Sequence, residues 1–219
     1  MAQQKNNGNC FMCPKTANKT VMKNHILKEH NSGDEECYLI RAEGAYNKDY
    51  WIFFSVSLNA DLGEIDTFLR EIWCECCGHL SEFYIGIQPC DMSRELSTFT
   101  VGSKLSYEYD FGSTTEININ ILNAISRPKD SNSVVLLARN EPQIYTCERC
   151  KDTATHVNMW DDNKALCEPC IEKATDYDKD GILPITNSPR IGECDYCAEA
   201  DIWVLDPKGE YPQTFDDLR

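Results

Sequence analysis

Cys147-Glu-Arg-Cys150 and Cys167-Glu-Pro-Cys170 constrain what this chain can fold into more than any other feature. Two residues between cysteines bend the backbone into a tight knuckle with both sulfurs on one side. Two such knuckles, sixteen residues apart, supply the four soft ligands of a tetrahedral zinc ion. Between them, Ala154 to Trp160 reads as a strand, Asp161-Asp162-Asn163 as a turn and Ala165-Leu166 as the return strand. Pro169 stands where the first turn of a helix tolerates it. Knuckle, hairpin and a helix carrying the second pair is the order of a treble clef, with a zinc ribbon as the alternative.

A second set lies near the N-terminus. Cys10 and Cys13 are followed, after eleven residues, by His25 and, after four more, by His30. Four residues between histidines put both imidazoles near one face of a helix, and Met22, Ile26 and Leu27 give that helix an apolar side. This is a two-cysteine, two-histidine finger, one residue short of the usual separation, with Ala17 where an aromatic is customary. A segment of about 30 residues buries too little surface to fold unaided, and zinc contributes roughly 10–16 kcal/mol in such peptides. The spacing therefore predicts two zinc ions per chain.

The chain has 13 cysteines in 219 residues, and an odd number argues against a disulfide framework. The first eight residues lack the apolar core of a secretory signal, and no run of about 18 apolar residues could span a membrane. A cytoplasmic protein with reduced thiols is expected, with no membrane partner. At 42% hydrophobic and 10% aromatic residues the chain is neither collagenous nor wholly disordered. Its net charge of −15 is unevenly placed: residues 1–30 carry +4, so the remainder carries −19.

These shifts divide the chain into a zinc finger at 1–33, an α+β domain at 34–143, a four-cysteine zinc module at 144–205 and an acidic tail at 206–219. In the middle block Tyr50 to Leu58 is almost continuously apolar, as in a strand buried on both faces. Asp61 and Glu64 have the spacing of a capping box. Leu62, Ile65, Leu69, Ile72 and Cys76 then recur at helical steps as far as Gly78. Residues around 83–87, 105–111, 117–121 and 133–138 alternate or cluster as strands. A mixed sheet of five to six strands with one main helix is expected.

Three constellations carry open alternatives. Cys194-Asp-Tyr-Cys197 is another knuckle-spaced pair. It completes a further metal site with His156, or with Cys76, Cys77 or His79 across a boundary, or it stays unmetallated. Cys76-Cys77-Gly78-His79 reads either as a thiolate nucleophile with a histidine base or metal ligands, or as a core cysteine beside a helix cap. Asp110, in the turn 109–115, either bonds the turn amides or faces a ligand.

The stretch from Phe68 to Phe83, with His79, and the Tyr109-Asp110-Phe111-Gly112 strand end resemble the plasmid pRiA4b ORF-3-like family. Leu183 to Gly192 resembles the C-terminal signature of its zinc-containing branch, to which this chain adds the N-terminal finger. The resemblance implies an α+β fold, often found beside mobile genetic elements, and no established activity. Thr114, Thr115 and Glu116 stand where many members carry a tryptophan and a histidine, so no role of that histidine transfers.

Three function classes follow. A zinc-stabilised interaction or adaptor protein suits two closed four-ligand sites and an acidic body that complements a basic protein surface. Nucleic-acid binding would use Lys15, Lys19, Lys23 and Lys28 around the finger helix, but one finger covers about 3 base pairs and the remaining charge repels phosphate. An enzyme would use Cys76 or Cys77 with His79, for which local spacing supplies no third group. The adaptor is preferred, with catalysis the least favoured.

Overall fold

The computed structural model describes residues 6–129, 132–175 and 179–197; the acidic tail at 206–219 and the last residues of the four-cysteine module lie outside them. The chain opens with a short hairpin, β1 (Asn7–Cys10) and β2 (Thr16–Asn18), and the helix α1 (Lys19–Glu29). Asn18 caps α1 by accepting a hydrogen bond from the Val21 N–H at 3.0 Å. Two long strands follow, β3 (Glu35–Gly44) and β4 (Trp51–Ser57), and then α2 (Leu62–Leu69). Asp61 and Glu64 cap α2 reciprocally, each bond at 3.0 Å.

The helix does not run to Gly78 as an α-helix. Beyond Leu69 the backbone widens into one π turn, Arg70–Cys74, closed by the Glu75 N–H on the Arg70 carbonyl. The apolar steps at Leu62, Ile65, Leu69 and Ile72 are all buried, so the sequence pattern is kept. The widened turn releases Cys76, Cys77 and His79 into a loop, where Gly78 adopts a φ of +80°. The strands β5 (Ser81–Ile85), β6 (Gln88–Cys90), β7 (Lys104–Tyr109), β8 (Thr115–Arg127) and β9 (Val134–Asn140) complete the central block.

One sheet runs β2-β1-β9-β4-β3-β8-β7-β5-β6, with every neighbouring pair antiparallel. This corrects the expected mixed sheet of five to six strands. Among the described residues the sheet reaches nine strands because the finger hairpin adds to one edge, Gly8 opposite Asn140 and Cys10 opposite Ala138. The β5–β6 hairpin extends the other edge.

The central strand β4 explains itself in this arrangement. Ile52, Phe54 and Val56 join the α2 residues Leu62, Ile65 and Leu69 in one core, with Phe54 and Phe68 rings 4.9 Å apart. Trp51 and Phe53 face the other way, into a second core with Met22 and Ile26 of α1. The sheet is therefore covered by α2 on one face and by the finger helix on the other. A strand apolar on both sides is what that layering requires.

After β9 come β10 (His156–Asn158), β11 (Lys164–Leu166), the helix α3 (Glu168–Lys173) and β12 (Ile182–Pro184). They form a second sheet, β11-β10-β12. Its core is small, built on Cys147, Ala154, Ala165, Leu166 and Cys167. Among the described residues no helix is long and apolar enough to cross a membrane.

Candidate metal centres

Three groups of four Cys or His residues converge among the described residues, each with its ligand atoms within 4.8 Å of one another, and each could hold a metal ion. Zinc–sulfur bonds of about 2.3 Å and zinc–nitrogen bonds of about 2.0–2.1 Å give tetrahedral edges of about 3.8 Å between sulfurs, 3.6 Å between sulfur and nitrogen and 3.3 Å between nitrogens.

Cys147, Cys150, Cys167 and Cys170 form the first group. The knuckle closes through the Lys151 N–H on the Cys147 carbonyl at 3.0 Å, and Lys151 takes a φ of +69° to turn the chain. Cys167 caps α3, with Pro169 in its first turn, and this brings the second pair to the first. Cys150 and Cys167 sulfurs lie 3.4 Å apart. Burial opposes a thiolate at Cys147, but the backbone N–H groups of Cys150, Cys167 and Arg149 outweigh it and hold the thiol down to about 6. Amides aimed at a sulfur favour the anion that a metal needs. The elements follow in the order knuckle, hairpin β10–β11 and helix α3.

Cys10, Cys13, His25 and His30 form the second group. Cys10 Sγ lies 3.4 Å from His30 Nε2, Cys13 Sγ 3.1 Å from His25 Nε2, and the two Nε2 atoms are 3.2 Å apart. The nitrogen–nitrogen distance is close to the edge of a zinc tetrahedron, and the two sulfur–nitrogen distances fall short of its edge by about 0.2 and 0.5 Å. α1 carries His25 in its last turns, and His30 caps its end. The helix is seated on the sheet through Met22 and Ile26, both fully buried.

The third group, Cys76, Cys77, His79 and Cys194, draws on segments more than a hundred residues apart. Cys77 Sγ lies 3.7 Å from both Cys76 Sγ and Cys194 Sγ. His79 Nε2 is 3.0 Å from Cys77 Sγ and 3.1 Å from Cys194 Sγ. Cys194 reaches the group from a turn in which it and Asp195 take φ values of +47° and +54°.

A buried arginine fixes this approach. Arg190 is fully buried and donates to Asp110 Oδ2 at 2.7 Å, and to the Ser113 carbonyl and Thr115 Oγ1, each at 3.0 Å. Its Nη2 also lies 3.5 Å from Cys76 Sγ. Its guanidinium stacks 4.9 Å from the Tyr109 ring, and Arg70 stacks at the same distance on that ring. Asp110 takes a φ of +64° and accepts from the Gly112 N–H at 3.0 Å. Burial works against its charge, but Arg190 and the Gly112 and Ser113 amides hold its carboxyl below the usual range. Asp110 thus serves the turn and the arginine together, and its Oδ2 lies 3.4 Å from His79 Nε2.

The other predicted residues are placed as follows. Cys197 is exposed and outside all three groups, so the Cys194–Cys197 pair is split. His156 also stays outside them; its Nδ1 meets Thr155 Oγ1 at 2.8 Å. Lys19 is bound to Glu43 at 2.9 Å and to the Lys48 carbonyl, and Lys28 pairs with Glu29 at 2.6 Å. Lys15 is exposed and Lys23 half-buried on the finger. Arg190 and Tyr109 had no metal-spacing signal; the Asn-Ser-Pro-Arg stretch around Arg190 was marked only by the family resemblance.

No family model matches the chain, and no curated protein matches it. Among solved structures it is similar to the protein of unknown function MM3350 from Methanosarcina mazei Go1, at 17% identity and a TM-score of 0.42, over 48% of this chain and 70% of that one.

Proposed function

We propose that this chain is a zinc-held interaction protein, with zinc in the N-terminal finger and in the four-cysteine group and no reaction catalysed at either. The supporting observation is closure: each group brings four protein ligand atoms within 4.8 Å. A catalytic zinc keeps a position for water, whereas four protein ligands leave none. The small core around Cys147 and Ala165 supports the same reading, because so few apolar residues do not hold a fold without a metal.

A basic protein surface is the partner that fits the −19 carried outside residues 1–30. Two of the four finger lysines are already engaged by Glu43 and Glu29, and Asn18 spends its side chain on the helix cap. These contacts favour a protein partner over nucleic acid. The proposal extends to a central domain of the pRiA4b ORF-3-like kind, in a setting beside mobile genetic elements. Its support is that His79, Tyr109 and Asp110, which carry that resemblance, lie together, the His79 and Tyr109 rings 5.7 Å apart.

The test is metal analysis of the full chain, with a duplex DNA titration at physiological salt. At least two zinc ions per chain and only weak DNA binding are expected. One ion or none would remove the structural role of zinc. Tight DNA binding lost on Lys15→Ala with Lys23→Ala would replace the protein partner with nucleic acid.

A further inference from the structure

We propose that Cys76, Cys77, His79 and Cys194 form a third zinc site, of three thiolates and one imidazole, that latches the C-terminal segment onto the end of the central sheet. The two sulfur–sulfur separations of 3.7 Å match the edge of about 3.8 Å that zinc–sulfur bonds impose. Three soft thiolates and one imidazole select a thiophilic divalent ion, and zinc is the one that takes such a tetrahedron without redox change. As the ion enters, three thiol protons leave to solvent, three zinc–sulfur bonds and one zinc–nitrogen bond form, and no electron is transferred.

The surroundings are built for that charge. Three thiolates around a divalent cation leave one net negative charge. Arg190, fully buried, aims its guanidinium Nη2 at Cys76 Sγ at 3.5 Å while sharing its charge with Asp110 at 2.7 Å. The segment carrying Cys194 is positioned before any metal arrives: Ser188 donates to the Trp73 carbonyl at 2.6 Å, and Arg190 is locked to Asp110. The protein therefore presents Cys194 to the loop, and the ion closes a connection spanning 117 residues. Closing so long a loop removes much freedom from the unfolded chain.

This site is also the most exchangeable of the three. The finger contains the buried Cys10, and the four-cysteine group the buried Cys147 and Cys167, whereas none of these four ligands is buried and Cys77 is exposed. A chelator reaches this ion first. The latch is separable from the two zinc ions already proposed, because it shares no ligand with them.

The experiment is native mass spectrometry of the zinc-loaded full chain. Wild type is expected to carry three ions, Cys77→Ser and Cys194→Ser two each, and Cys197→Ser three. In wild type under a mild chelator, the first ion lost should be the one missing from both variants. Cobalt(II) titration of wild type reads the site without substitution: thiolate-to-cobalt absorbance should rise to nine bound sulfurs, against six if only the other two groups fill. Two ions in wild type, unchanged in both variants, overturn the latch and leave the proposed function standing. One or none overturns both. Loss of the third ion from Cys197→Ser, with retention in Cys194→Ser, overturns the assignment of ligands.

Discussion

Arg190 has no exposed surface and four partners on two segments, so its removal should be among the costliest single changes in the chain. Arg190→Met leaves the Asp110 carboxylate buried without its cation, a loss of about 3–5 kcal/mol, readable as a fall in the urea midpoint. Asp110→Asn tolerates the positive φ of that turn, and with it in place Arg190→Met should cost clearly less. Additive losses in that double-mutant cycle would show that the pair is not coupled. The residues that converge in the finger and in the four-cysteine group were legible in the sequence, because each pair is local and only the joining of two pairs is left to the fold. Cys194 was half legible. Its spacing to Cys197 suggested a shared ion, but the fold sends Cys194 to His79 and leaves Cys197 outside. No spacing rule joins positions 77 and 194; only the docking of Ser188 and Arg190 does.

At the scale of elements, the capping box of α2 was visible in the sequence, and Asp61→Ala should cost about 1 kcal/mol in chemical denaturation. No change there would mean that packing of Leu62 and Ile65 alone holds the helix start. The joining of the finger hairpin to the sheet left no trace in the sequence, since backbone hydrogen bonds at a sheet edge ask little of side chains. Gly8 is the exception. A Cβ there would collide with the Arg139 carbonyl and the Trp51 ring. Gly8→Ala should therefore loosen β1 from β9 and cost about 1–3 kcal/mol, as overpacking does, while the zinc content of the finger stays intact. Loss of the finger ion instead would mean that the hairpin forms only on the sheet. The strand β3 carries charged residues that hide it: Glu43 is buried between Arg41 at 3.1 Å and Lys19 at 2.9 Å.

At the scale of the molecule, two kinds of cohesion coexist. The central strands bury Ile40, Ile52, Phe54, Tyr107, Ile117 and Ile119 and need no metal to stay together. Among the described residues the C-terminal module buries only a small apolar core, beside four converging sulfurs. A strong chelator should therefore split the chain's behaviour: amide exchange in β3, β4 and β8 stays slow, while residues 147–173 lose protection. Uniform loss throughout would make the metal groups part of one cooperative unit. The most direct measurement of the central claim is thiol alkylation of the zinc-loaded full chain, resolved by cysteine. Cys77, Cys150 and Cys197 are all exposed, so exposure alone predicts equal labelling. Metal coordination predicts that Cys197 is labelled at once, while Cys77 and Cys150 react only after a chelator is added. Cys77 and Cys150 labelled as fast as Cys197 before chelation would contradict a chain organised around metal.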